Sequence, residues 1–171
     1  YKRQIQGFNG AAISFIAQNY GAGKIDRVRR VFWICMTASV SFCAFFNLLF
    51  AWQDNFFLGF FSNVAEVHYY GGIRMHIVLA FQFIACSYEI AGSSLRGMGK
   101  SMTPTVLTVF GTCLLRIVWV YVVCSYWRGY DILMTVYPVS WVLTGVLVCT
   151  AYWMTMRKAI SVEEMKNGSL I

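Results

Sequence analysis

The 171 residues carry 14 Lys and Arg against 7 Asp and Glu, a net charge of +7, and 58% of them are hydrophobic. Only 12% are charged, about half of the roughly 25% usual in soluble domains, and the mean hydropathy is +0.58, so a water-covered globule is excluded. The basic residues lie in the gaps between apolar stretches, where membrane topology requires them, and no separate basic region exists to grip a nucleic acid.

Residues 4–20 (QIQGFNGAAISFIAQNY) are predicted as a first helix, with Gly7, Gly10, Ala11, Ser14 and Gln18 on one face. Small residues at that spacing let helix backbones approach closely in lipid. Its length, roughly 25 Å, is slightly short of a span, so a buried helix is expected. The segment 21–30 (GAGKIDRVRR) reads as a glycine turn followed by a charged helix start.

Four uninterrupted apolar stretches follow, at 31–51, 73–95, 105–123 and 132–154. Each is close to the ~20 helical residues that cross a ~30 Å hydrocarbon layer. The helices are predicted over 31–51, 71–95, 104–125 and 132–155. Between the first two of these, residues 52–70 mix acidic and aromatic side chains and suit a helix lying in the membrane interface. Ser101 or Thr103 is placed to cap the third, with Pro104 in its first turn. Pro138 should kink the last, with freed carbonyls satisfied by neighbours such as Ser140.

The expected fold is therefore all-α and membrane-integral: about five transmembrane helices within 1–156 and a polar tail at 157–171. If the helices alternate, one side holds Lys24, Arg27, Arg29, Arg30, Arg96, Lys100, Arg157, Lys158 and Lys166, and the other holds Lys2, Arg3, Arg74 and Arg128. This asymmetry puts the tail in the cytoplasm and Tyr1 outside, in a multi-pass protein of a plasma or inner membrane. The start at Tyr1-Lys2-Arg3, without methionine, reads as that of a fragment or a processed chain.

Glu89 is the most informative residue. A carboxylate inside a span costs roughly 2.5–3.5 kcal/mol on insertion scales and marks a function by default. Gln82, Cys86, Glu89, Ser93 and Arg96 form one polar stripe, and the next helix presents Thr105, Thr108, Thr112 and Arg116. In a hairpin turning near residue 100, Glu89 faces residue 111 and Arg116 comes within reach. Glu89 is then either a protonatable or cation-binding group that controls the helix arrangement, or one half of a structural pair with Arg116. Glu89, Arg116, Gln82 and Thr112 are the candidate ion- or substrate-coupling residues.

Other constellations are weak. The six cysteines (Cys35, Cys43, Cys86, Cys113, Cys124, Cys149) are scattered without CxxC or Cys/His spacing, and read as small packing residues rather than zinc ligands or a disulfide framework. His68 and His76 do not fall at metal-ligand spacing in the sequence and read as interfacial rather than metal-binding. Met98-Gly99-Lys100-Ser101 fails as a phosphate loop, because the first glycine of that motif would fall at Ser94 and no strand precedes it. No nucleophile–base arrangement appears, so an enzyme is not expected and no cofactor is implied.

Two stretches resemble a known family. GFNGAAISFIAQNYGAGKIDRVRR resembles the glycine-rich helix, the Q-x-x-G-A-G segment and the basic loop of multidrug and toxic compound extrusion (MATE) transporters. SSLRGMGKSMTP resembles their R-G-x-G-K-x-x-x-P turn. The matching residues are Gln18, Gly21, Ala22 and Gly23, then Arg96, Gly97, Gly99, Lys100 and Pro104. The resemblance implies twelve helices in two six-helix lobes, with this chain supplying most of the second and the N-terminal lobe missing. It further implies export of small amphipathic or cationic substrates in exchange for H+ or Na+, by alternating access. The motif glycines are expected to shape turns and helix contacts. The alternatives are a lipid-linked oligosaccharide flippase of the same superfamily, which would need a wide cationic cavity, and a non-transporting membrane scaffold subunit.

Overall fold

The computed structural model describes residues 2–52, 59, 65–126 and 129–168, and every element it contains there is helical. The expected interfacial helix over 52–70 lies largely outside the described residues.

Helix α1 (Lys2–Gly21) and helix α2 (Ile25–Trp52) come first. At ~1.5 Å per residue α1 is roughly 30 Å long and α2 roughly 42 Å. Helix α2 begins six residues before its apolar stretch because Ile25, Val28 and Phe32 are buried on one face, which carries the helical pattern through the charged segment. Asp26 lies in its first turn, where a negative charge meets the positive end of the helix dipole.

The predicted third helix is broken. Helix α3 (Ala65–Arg74) runs through a π-turn (Met75–Leu79) into α4 (Ala80–Gly97), with a bend of 43° between the two rods. Next, α5 (Met102–Thr108) passes through a second π-turn (Val109–Leu114) into α6 (Leu115–Tyr126). Ser101 makes no side-chain cap hydrogen bond, contrary to expectation; its carbonyl instead accepts from Thr105 Oγ1 at 2.9 Å. Helix α7 (Tyr130–Gly168) continues through Pro138 and takes most of the polar tail into the same rod. Beside the proline, Ser140 Oγ donates to the Tyr137 carbonyl at 2.9 Å.

Helix α4 is the centre of the bundle and packs against α1, α2, α5 and α7. Its segment 90–95 is buried all round, the pattern of an interior helix rather than an amphipathic surface one. Phe32 of α2 stacks on Tyr152 of α7 with ring centroids 4.0 Å apart and planes 18° apart, closing the core beside it. On the outside are Trp33, Ile34, Phe45, Leu48, Phe110, Ile117, Val146 and Met154, all exposed, as hydrocarbon contact requires. Among the described residues, three helices are long and apolar enough to cross a membrane, or four if the bent α3–α4 pair is one span; α1 is a further, less apolar rod.

The face of α1 that packs is not the small-residue face. Ala12 and Ile16 are buried with Phe8, Asn9 and Ile13 beside them, whereas Gly7, Gly10, Ser14 and Gln18 are exposed. Apolar bulk decided the orientation: Phe8, Ala12, Ile16 and Tyr20 recur at helical spacing and fill the groove beside α4. The close approach is made by Gly97 of α4, where a methyl group would lie 3.0 Å from the Ile13 carbonyl oxygen.

The two GxGK segments, Gly21-Ala22-Gly23-Lys24 and Gly97-Met98-Gly99-Lys100, end their helices in the same way. Gly23 has φ 70° and Gly99 φ 80°. Lys24 N–H donates to the Asn19 carbonyl and Lys100 N–H to the Leu95 carbonyl, both at 2.9 Å, the six-to-one bond of a Schellman cap. A side chain in this left-handed region costs roughly 1–2 kcal/mol. Gly99→Ala is therefore expected to lower unfolding stability in detergent by about that much. Gly21→Ala, in open space at ordinary helical φ, should be nearly neutral; equal losses for the two would refute the cap assignment.

Candidate functional site

Around Glu89 the helices leave a polar chamber of about 290 Å³. Helix α1 contributes Gln6 and Asn9, three residues apart and on one face. Helix α4 contributes Tyr88, Glu89, Gly92 and Arg96, and α5 contributes Thr108. Gly92 opens the chamber by having no side chain; a methyl group there would meet Pro104 Cβ at 3.4 Å. Glu89 is half-buried, Tyr88 is buried and Arg96 is exposed at the rim.

Asn9 Nδ2 donates to Glu89 Oε2 at 3.3 Å, so a charge-assisted hydrogen bond joins α1 to α4. Asn9 Oδ1 is buried and has no hydrogen-bond partner among the described residues. An unsatisfied buried carbonyl of this kind costs about 1–3 kcal/mol. The carboxylate and the hydroxyl-bearing Tyr88 and Thr108 bring oxygen atoms, the type that suits a proton or a hard cation, to a lining that also holds the Gln6 and Asn9 amides and Arg96. Among the described residues no three His, Cys, Asp or Glu side chains are grouped to hold a metal.

The hydrogen bonds of Arg116 run to α7. Arg116 Nε and Nη2 each donate to Ser140 Oγ at 3.3 Å, and its guanidinium lies 4.5 Å from the centre of the Tyr137 ring. The register of the hairpin differs from the expected one. Gly92 meets Pro104, so the hairpin turns near residue 98, and Glu89 faces Thr108 rather than residue 111. Arg116 is then eight residues, roughly 12 Å, further along the rod from Thr108.

The other two coupling candidates also lie outside the chamber lining. Gln82 is half-buried two turns before Glu89. Thr112 Oγ1 donates back to the Thr108 carbonyl at 2.6 Å. The sequence reading missed Asn9 and Gln6, because it weighed the small residues of α1 above the apolar ones. An asparagine three residues before the buried Ala12 was the available signal.

The family-motif residues meet at one end of the bundle. A second cavity, about 560 Å³, is lined by Ala22 and Gly23 of the first GxGK turn, Lys100 of the second, and Thr155 and Lys158 of α7. The basic gap at 21–30, the basic turn after α4 and the foot of α7 are thus on one side, the arrangement that the charge asymmetry requires. Gln18 is exposed nearby.

Apolar rods around a buried core, broken helices joined by π-turns, and a carboxylate chamber between them are the features of a polytopic membrane protein and are shared with transporters. The MatE family model matches residues 4–122, from α1 into α6. The chain belongs to this family of membrane transporters. No curated protein and no solved structure matches it.

Proposed function

We propose that the chain acts in a cation-coupled antiporter, driven by H+ or Na+, that exports organic cations or amphipathic drugs by alternating access, with Glu89 as the coupling carboxylate. The lipid bilayer of a plasma or inner membrane is its setting, with the C-terminal end of α7 cytoplasmic, and a further lobe of the same transporter completes the cavity. The observation that supports this most is the Asn9–Glu89 bond across the α1–α4 interface, inside a chamber with an unsatisfied carbonyl.

Neutralising Glu89 with a proton or a bound cation weakens its charge-assisted hold on Asn9. The packing of α1 on α4 then differs in free energy between the ion-loaded and ion-free states, which is what an ion needs to bias a two-state equilibrium. A drug that prefers the other state is exchanged against the ion by linkage.

The test uses the full-length transporter in vesicles loaded with a fluorescent organic cation. A one-unit pH gradient supplies about 1.4 kcal/mol per proton, enough for a tenfold concentration ratio in one-for-one exchange. Efflux should be driven by an inward H+ or Na+ gradient and stop when that gradient is collapsed by an ionophore. Efflux that ignores both gradients would end the coupling reading.

A further inference from the structure

Cys43 of α2 and Cys86 of α4 are far apart in sequence, yet Cys86 Sγ lies 2.7 Å from Cys43 Sγ. That is closer than the ~3.5–4.0 Å of ordinary non-bonded carbon contacts. Each residue is 1% exposed. Asn47, one turn beyond Cys43, donates Nδ2 to Cys43 Sγ at 3.3 Å and is itself buried, so the sulfur is held in place from both sides.

Two chemistries could use such a pair. A shared metal at the ~2.3 Å typical of zinc–thiolate bonds holds two sulfurs roughly 3.7–4.6 Å apart, so they would have to part by about 1 Å or more. No third His, Cys, Asp or Glu completes a ligand group among the described residues. A disulfide needs the sulfurs at about 2.05 Å, an approach of about 0.7 Å from where they stand. The smaller movement decides the assignment.

We propose that Cys43 and Cys86 form an oxidisable dithiol that closes into an interhelical disulfide, stapling α2 to α4. The oxidant is an organic hydroperoxide, a class that dissolves in the hydrocarbon around the bundle. One thiol attacks the peroxide and becomes a sulfenic acid, releasing the alcohol. The second thiol attacks the sulfenic sulfur and expels water. Two thiols and one hydroperoxide thus give one disulfide, one alcohol and one water, with the sulfurs oxidised and the peroxide bond reduced.

The experiment treats membranes containing the full-length protein with cumene hydroperoxide, then denatures the protein so that buried thiols become accessible, blocks the remaining thiols with an alkylating reagent, and maps the unreduced digest by mass spectrometry. The expected result is a peptide joining Cys43 to Cys86, lighter than its parts by two hydrogens. Alkylation of both residues should be lost together and restored by a thiol reductant. Cys43→Ser and Cys86→Ser should each remove the joined peptide. The wild-type map decides even if either variant folds poorly. Oxidation confined to the exposed Cys113, joining of Cys43 or Cys86 to another cysteine, or over-oxidation of either without a joined peptide would overturn the proposal.

Discussion

Glu89→Gln is expected to abolish gradient-driven efflux, at least tenfold below wild type or more than about 1.4 kcal/mol of coupling, while leaving the protein as stable as before or more so. The two halves of this result have one cause. Glutamine keeps a carbonyl oxygen to accept from Asn9 Nδ2, now 3.3 Å from Glu89 Oε2. It also adds an amide N–H that can reach the buried, unpartnered Asn9 Oδ1. Replacing a charge within a span also relieves an insertion cost of roughly 2.5–3.5 kcal/mol on translocon scales. What glutamine cannot do is gain or lose a proton, or supply a full negative charge to a cation. Efflux in vesicles and thermal unfolding in detergent, measured on one preparation, separate the possibilities. Retained gradient-driven transport would remove Glu89 from the coupling mechanism. Loss of transport together with stability would identify it as a structural tie between α1 and α4.

The sequence carried the helical membrane class because the apolar stretches are long and their charges lie between them. The 105–123 stretch, for example, contains Arg116 as its only charge and forms the α5–α6 rod. Two kinds of feature were not legible. The first is phase. Both π-turns lie in runs without proline, and a residue added to one turn leaves no compositional mark at Val109–Leu114. The second is register between helices. A shift of the hairpin centre from near residue 100 to near 98 moves Glu89 from the level of Gly111 to that of Thr108. That register is set by Gly92 against Pro104, a fit of shapes that no pattern of hydrophobicity encodes. The meeting of Cys43 and Cys86 is hidden for the same reason: each reads alone as a packing residue. Glu89 itself was visible because a carboxylate in an apolar run needs a physical account wherever it lies.

The contact that holds the α5–α6 rod to α7 should be the point most sensitive to added volume. Pro104 is the one buried residue of α5 among those described, and Gly111 that of the π-turn after it; most of the rod faces outward. A methyl group at Gly111 would overlap Thr144 Oγ1 and lie 3.1 Å from Thr144 Cβ and 3.2 Å from its Cα. Gly111→Ala must then push the rod away from α7. This stretches the Arg116–Ser140 bonds and the Trp119 Nε1 bond to the Ile132 carbonyl, now 3.1 Å. In lipid no hydrophobic force returns a displaced helix, because the hydrocarbon is as apolar as the core. A loss of about 1–3 kcal/mol is expected for such overpacking, read as denaturant unfolding in lipid nanodiscs. Thr144 supplies the control. Its buried hydroxyl has no partner among the described residues, so Thr144→Ala alone should cost little, since no hydrogen bond is lost. In the double variant the overlapping oxygen is gone, and part of the loss should return; full recovery is blocked by the Thr144 Cβ that remains. The coupling between the two changes isolates the contact. Additive effects would mean that the rod is held to α7 elsewhere, and a neutral Gly111→Ala would mean that the rod moves aside without cost.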